Sequence, residues 1–173
     1  MPSPVLRSRR QKPRRLKLTK DSNDPVRDIR DICLKLLSRR EHSTIELKRK
    51  LSAKGFQGEL VDEVVNELAA DGWQSDARFA EEYLRQRIRR GYGPVRLFQE
   101  LKQRGAVAVD LDQILRELDE TWDDLIERVY RKKYHDSIPD SLNEISKRLR
   151  FLQYRGFTAD QVKSLFDRLG QRF

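Results

Sequence analysis

The sequence predicts an all-α protein: three tandem three-helix repeats forming an elongated, curved body, preceded by a disordered basic N-terminal arm. Three observations carry that prediction. A helix-like run ends three times, at spacings of 50 and 51 residues, in a basic residue, a glycine and an apolar residue: Lys54-Gly55-Phe56, Arg104-Gly105-Ala106 and Arg155-Gly156-Phe157. Around each glycine the apolar pattern is the same, with a leucine four residues before it (Leu51, Leu101, Leu152) and apolar residues 6, 9, 10 and 13 after it. Those offsets select Val61, Val64, Val65 and Leu68, then Leu111, Ile114, Leu115 and Leu118, then Val162, Leu165, Phe166 and Leu169, all on one side of a helix. Finally, charged residues make up 38% of the chain and apolar residues 37%, too few for one large core but enough for a narrow stripe on each helix. Small units that cover one another's stripes in a row satisfy that supply.

The elements follow in chain order. Repeat 1, residues 24–73, opens at Asp24-Pro25, an N-cap followed by proline at the first helical position, and its helices span about 25–39, 44–54 and 58–71. Ser43 with Glu46 has capping-box spacing at the second of these. Repeat 2, residues 74–119, holds helices at about 76–90, 94–104 and 109–119, the middle one opening at Gly93-Pro94, a weaker cap. Repeat 3, residues 120–173, holds helices at about 121–134, 142–155 and 159–169, with capping-box spacings at Ser141/Glu144 and Thr158/Gln161. Gly55, Gly105 and Gly156 end the second helix of each repeat, because glycine takes the left-handed conformation past a C-cap without a Cβ clash. The adjoining apolar residue then packs back on the last turn, which suits Phe56 and Phe157 better than Ala106 and predicts a looser middle junction. Lys54, Arg104 and Arg155 sit at the negative end of the helix dipole, each favourable by about 0.3 to 1 kcal/mol.

Charge is unevenly placed. Of 37 basic residues, eight lie in the acid-free first 20 (Arg7, Arg9, Arg10, Lys12, Arg14, Arg15, Lys17 and Lys20), leaving 29 basic against 28 acidic residues from 21 onward. The net charge of +9 is therefore almost all in the arm, residues 1–23, whose three prolines and few apolar residues predict disorder. Mobile cations of this kind can neutralise nucleic-acid phosphates. A solubilising tail and an organelle-targeting segment are the other readings of the arm. No run is long enough for a membrane span. Cys33 has no partner for an internal disulfide and falls on the apolar side of the first helix.

Catalysis has no foothold in the pattern. His42 and His135 belong to no metal-ligand spacing, there is no cysteine cluster, and no glycine-rich phosphate loop occurs. The expectation is a non-enzymatic protein with no metal and no cofactor. On the 76–90 helix, Phe79, Ala80, Tyr83, Leu84 and Ile88 share a broad apolar side, and Arg78, Arg85 and Arg89 share the other. Arg87 falls within the apolar side and must pair with an acid or reach outward, because an unpaired buried charge is very costly. The opposite ridge is either solvated, with Glu81 pairing to Arg85 across one turn, or aimed at phosphates or an acidic partner.

This stretch also carries a resemblance. Asp76-Ala77-Arg78-Phe79-Ala80, Arg87, Gly91-Tyr92-Gly93-Pro94, Arg96, Glu100-Leu101 and Arg104-Gly105 are similar to the signature of the RecX family of bacterial recombination regulators. Leu37, Arg40, Ser43, Glu46-Leu47, Lys50-Leu51 and Lys54-Gly55-Phe56 match in the first repeat, and Lys133-Tyr134, Phe151-Leu152 and Arg155-Gly156-Phe157 in the third. The match covers about residues 26 to 169, and the arm lies outside it. The resemblance implies a cytoplasmic bacterial protein, a monomer, that binds the RecA filament on DNA. It would modulate, mainly inhibit, the filament's ATPase, strand-exchange and coprotease activities, with weaker electrostatic binding to single- and double-stranded DNA. Candidate contacts to recombinase or DNA are Arg78, Arg85, Arg89, Arg90, Arg96, Lys102, Arg128, Arg131, Lys132, Arg148 and Arg150. Phe79, Arg87, Leu101 and the three motif glycines are candidate structural residues. The competing reading is a direct DNA-binding protein of helix-turn-helix type with a basic arm, against which stands the near neutrality of the body.

Overall fold

The structure is a computed structural model that describes residues 24–106, 109–135, 137 and 139–170. Residues 1–23, and with them the expectation of a disordered arm, lie outside the described residues. The described residues form helices α1 (Pro25–Leu37), α2 (Thr44–Ser52), α3 (Glu59–Ala70), α4 (Asp76–Arg89), α5 (Pro94–Gln103), α6 (Leu111–Glu117), α7 (Trp122–Tyr134), α8 (Leu142–Arg155) and α9 (Ala159–Arg168), and no strand. In each repeat the first helix packs against the third: α1 on α3, α4 on α6, α7 on α9.

The local signals act as expected at the helix starts. Asp24 Oδ1 accepts the amides of Val26 and Arg27, while Ser43, Ser141 and Thr158 each accept the amide three residues on. Only Thr158/Gln161 closes a full capping box. Glu46 and Glu144 have turned away to bond arginines, which bind a carboxylate more strongly than a backbone amide does.

The helix ends repeat one geometry. Gly55, Gly105 and Gly156 have φ of 95°, 63° and 92°. The amides of Phe56, Ala106 and Phe157 reach back to the carbonyls of Leu51, Leu101 and Leu152 at 3.1, 3.2 and 3.2 Å, the Schellman closure. The looser middle junction is thus absent from the hydrogen bonds, because the closure is made by backbone and does not depend on the apolar residue beside the glycine.

All twelve stripe positions face inward: nine are buried, and Leu111, Leu118 and Leu169 are half-buried against the same core. The core is divided unequally. Repeat 1 has its own cluster around Ile29, Cys33, Leu47, Leu51 and Leu68. Repeats 2 and 3 share another, running from Leu84, Ile88, Leu97 and Leu101 to Leu125, Tyr130, Leu152, Phe157 and Phe166. Phe79 is buried as well. Burial also pushes the Cys33 thiol up to about 11, so at neutral pH it is a packed thiol rather than a thiolate.

Candidate partner-binding surface

Each repeat joins the next where the closed end of one middle helix rests on the start of the preceding middle helix. Between repeats 2 and 3 the contact is backbone on backbone. The amide of Gly93 donates to the carbonyl of Arg155 (2.9 Å), and that of Val95 to Gly156 (3.0 Å). A Cβ on Gly93 would meet the carbonyl carbon and oxygen of Gly156 at 2.5 Å, and one on Gly156 would meet the backbone nitrogen of Arg96 at 2.6 Å. Gly93 is therefore glycine for proximity, beyond its place as a cap. Between repeats 1 and 2 side chains make the join. Arg104 Nη1 donates to Glu46 Oε1 (2.6 Å), Asp76 Oδ1 accepts the amide of Thr44 (2.8 Å), and Arg78 bonds Glu41 (2.8 Å).

Glu46 is the hub of that polar junction. Burial pushes its carboxyl up, but hydrogen bonds and charge from Arg40, with His42 and Arg104, outweigh burial and hold it below the usual carboxylate range. His42 Nδ1 lies 3.0 Å from Glu46, yet burial first and the Arg40 charge second hold its pKa below the ordinary imidazole value. The structure therefore favours neutral His42.

Arg87 meets the requirement set by its position. It pairs with Glu100 and lies 3.7 Å from the centre of the Tyr92 ring, with a side chain 13% exposed. Around it, arginine and tyrosine alternate: Tyr154 under Arg96 (5.2 Å), Arg96 over Tyr92 (4.6 Å), Arg87 between Tyr92 and Tyr83 (5.8 Å), and Arg104 over Tyr83 (4.6 Å). This ladder runs from repeat 3 through repeat 2 and ends on the Glu46 hub of repeat 1.

The predicted contact residues fall into three sets. Arg148 leaves the candidate surface. Its side chain is 5% exposed and donates to the Tyr130 hydroxyl (2.5 Å), the Ser137 carbonyl (2.6 Å) and Glu144 (3.3 Å), fastening α8 to α7. The sequence held the signal, because Arg148 sits among Ile145, Leu149 and Leu152 at helical spacing just as Arg87 does in its helix. Arg78, Arg85, Arg96, Arg128 and Arg131 are drawn into pairs with Glu41, Glu117, Glu100, Glu120 and Glu127. Arg85 thus bridges α4 to α6 at 2.7 Å more closely than it pairs with Glu81 at 3.4 Å, so it does not form one free ridge with Arg89. Arg89, Arg90, Lys102, Lys132 and Arg150 are exposed and hold no carboxylate among the described residues. The eight arm residues lie outside the described residues.

A cleft of about 450 Å³ opens where repeats 2 and 3 meet, lined by Arg89, Arg90, Arg128, Val129, Lys132, Lys133, Phe151 and Arg155. Lys133 and Arg155 were not predicted as contacts. Lys133 lies over the Phe151 ring at 3.7 Å, and Arg155 donates to the carbonyl of Arg90 (3.0 Å). Among the described residues no group of histidine, cysteine, aspartate and glutamate could hold a metal ion, and no helix is long and apolar enough to cross a membrane.

Fold and surface define a tandem three-helix-repeat protein whose distinctive chemistry is sorted charge along a row of repeats. The family models for the first, second and third three-helix domains of RecX match residues 30–68, 75–108 and 120–166, and the chain belongs to the RecX family. It is 38% identical over 142 residues to regulatory protein RecX of Pseudomonas fluorescens, covering 82% of this chain and 92% of that one. To RecX of Halorhodospira halophila it is 40% identical over 136 residues, covering 79% and 84%. The crystal structure of RecX from Lactobacillus salivarius shares the fold, with a TM-score of 0.62, 21% identity and coverage of 84% of this chain and 96% of that one. A second crystal structure, of a regulatory protein RecX, gives a TM-score of 0.66 at 21% identity, covering 82% and 71%. The chain's role is a regulatory one of the RecX kind.

Proposed function

We propose that this protein binds the RecA recombinase assembled on DNA and modulates, mainly inhibits, its ATPase, strand-exchange and coprotease activities. It acts without catalysis of its own, as a monomer in the bacterial cytoplasm. The observation that supports the reading best is the match of all three repeats, in order, to the three RecX domains. A row of repeats with its charge at the surface suits a partner that is itself extended and repetitive. The mechanism is differential binding: a regulator shifts filament assembly only if it prefers one filament state or occupies the surface the next subunit needs. Arg89, Arg90, Lys102, Lys132 and Arg150 are the candidate contacts, with the basic arm adding electrostatic attraction to DNA.

The test is ATP hydrolysis by RecA on single-stranded DNA, followed against concentration of this protein and of salt. Inhibition well below one molecule per recombinase subunit is expected. Inhibition that appears only when the DNA lattice is saturated with this protein would replace the proposal with simple competition for DNA.

A further inference from the structure

The cleft between α4, α7 and α8 is lined almost wholly by cations. From residue 21 onward the chain is close to neutral, with 29 basic and 28 acidic residues. Yet six of the eight residues lining this cleft are cations, Arg89, Arg90, Arg128, Lys132, Lys133 and Arg155, and none is acidic; of the six, Arg128 is paired with Glu120, which lies outside the lining. Elsewhere acids do enter such sites: the cleft between repeats 1 and 2 is lined by Arg40 and Arg104 but also by Glu41, Glu46 and Glu82.

Two of the cations are also held in place. The cleft forms at the C-terminus of α4, whose free carbonyls would by themselves repel an anion. Arg155 takes the carbonyl of Arg90 at 3.0 Å and Arg128 approaches that of Arg89 at 3.5 Å, so the negative end is covered. Arg128 and Lys132 lie one turn apart on α7, while Arg89 and Arg90 end α4 across from them. A Cβ on Gly91 would meet Cγ2 of Val129 at 2.4 Å, so repeats 2 and 3 press together beneath the cleft and hold its two walls at a set separation.

We infer that this cleft seats the phosphodiester backbone of DNA. The inference rests on the proposed filament reading only in placing that DNA within a recombinase complex. The cleft's floor decides between nucleic acid and an acidic protein. A protein partner needs apolar or aromatic anchors buried in pockets at the centre of the interface. Here Val129 is buried and Phe151 lies beneath Lys133, with Arg155 5.3 Å from its ring, so the cleft offers charge without an open apolar pocket. Cations with no Asn, Gln or acidic side chain beside them in the lining match a repeating phosphate chain and predict binding that depends weakly on sequence.

The experiment uses the full chain and a labelled oligothymidylate, titrated by fluorescence anisotropy over a range of salt. Arg89→Gln with Lys132→Gln removes two cleft cations that hold no carboxylate among the described residues. Lys35→Gln with Lys54→Gln removes the same charge from exposed positions of repeat 1. The cleft variant is expected to bind several-fold more weakly, with a salt slope shallower by about 1.4, since each phosphate contact on a single strand contributes about 0.7. The repeat 1 variant is expected to bind as the parent does. Equal losses in the two variants would reduce the cleft to general electrostatics and overturn the assignment. An unchanged salt slope with weakened recombinase inhibition would overturn it in favour of an acidic protein surface. Failure of the parent protein to inhibit RecA, with the cleft result intact, would remove the filament reading and leave the cleft assignment standing.

Discussion

Replacing Gly93 by alanine isolates what holds repeats 2 and 3 together. Gly93 has φ −84° and ψ 170°, extended backbone that alanine adopts readily, so the substitution carries no conformational strain of its own. By restricting the unfolded chain it would stabilise by about 0.4 to 1 kcal/mol if the site were open. The site is closed: the new Cβ lies 2.5 Å from the carbonyl carbon and oxygen of Gly156 and 2.6 Å from the amide nitrogen of Phe157. All three are backbone atoms and cannot swing aside, so α5 and the end of α8 must separate by roughly 1 Å to restore ordinary contact. That weakens the Gly93–Arg155 and Val95–Gly156 bonds, worth about 1 kcal/mol each, and forces the shared core apart at about 1 to 3 kcal/mol. The expected net loss is about 2 to 4 kcal/mol, read as a lower urea midpoint by circular dichroism. Gly55→Ala is the control. Its φ is 95° with nothing within 4 Å of the new Cβ, so it costs only the left-handed backbone, about 1 to 2 kcal/mol. A Gly93→Ala variant with the parental midpoint would show that the two repeats can part without cost, and the shared-core account would be wrong.

Three further outcomes are expected. Arg87→Gln leaves Glu100 short of its buried partner and should lower stability by about 3 kcal/mol, whereas Arg85→Gln breaks a more exposed pair and should lower it by under about 1 kcal/mol; equal denaturation midpoints would contradict this. Acidification should loosen the junction of repeats 1 and 2. Folded His42 has a lowered pKa, so below its ordinary value of about 6.5 the unfolded chain binds more protons and stability falls with pH, and lowered Glu46 and Glu100 add a second fall below about 4.3. His42→Gln should flatten the upper part of that profile, and an unaltered profile would remove His42 from the account. Deleting residues 1–20 should weaken binding to bare DNA and flatten its salt dependence while helical content is kept, checked by anisotropy and circular dichroism on the same sample.

What was legible in the sequence is what neighbours within a turn or two decide. The period of the stripes, the caps at Asp24, Ser43, Ser141 and Thr158, and the glycine closures all arise from contacts among residues a few positions apart, and they appear in the structure at the expected places. Arg87 was legible for the same reason: its place on an apolar side demanded a partner, and the same argument applied to Arg148 would have removed it from the contact surface. Tertiary structure alone decided the division of the core, with repeats 2 and 3 fused and repeat 1 closed on itself. It also chose Glu117 over Glu81 for Arg85, required glycine at 93, and joined Arg104 to Glu46 across 58 residues and Arg155 to Arg90 across 65. These depend on how far apart two backbones settle once packed. Helical periodicity records which face of a helix is apolar, but not which distant face will cover it or which charges will meet there.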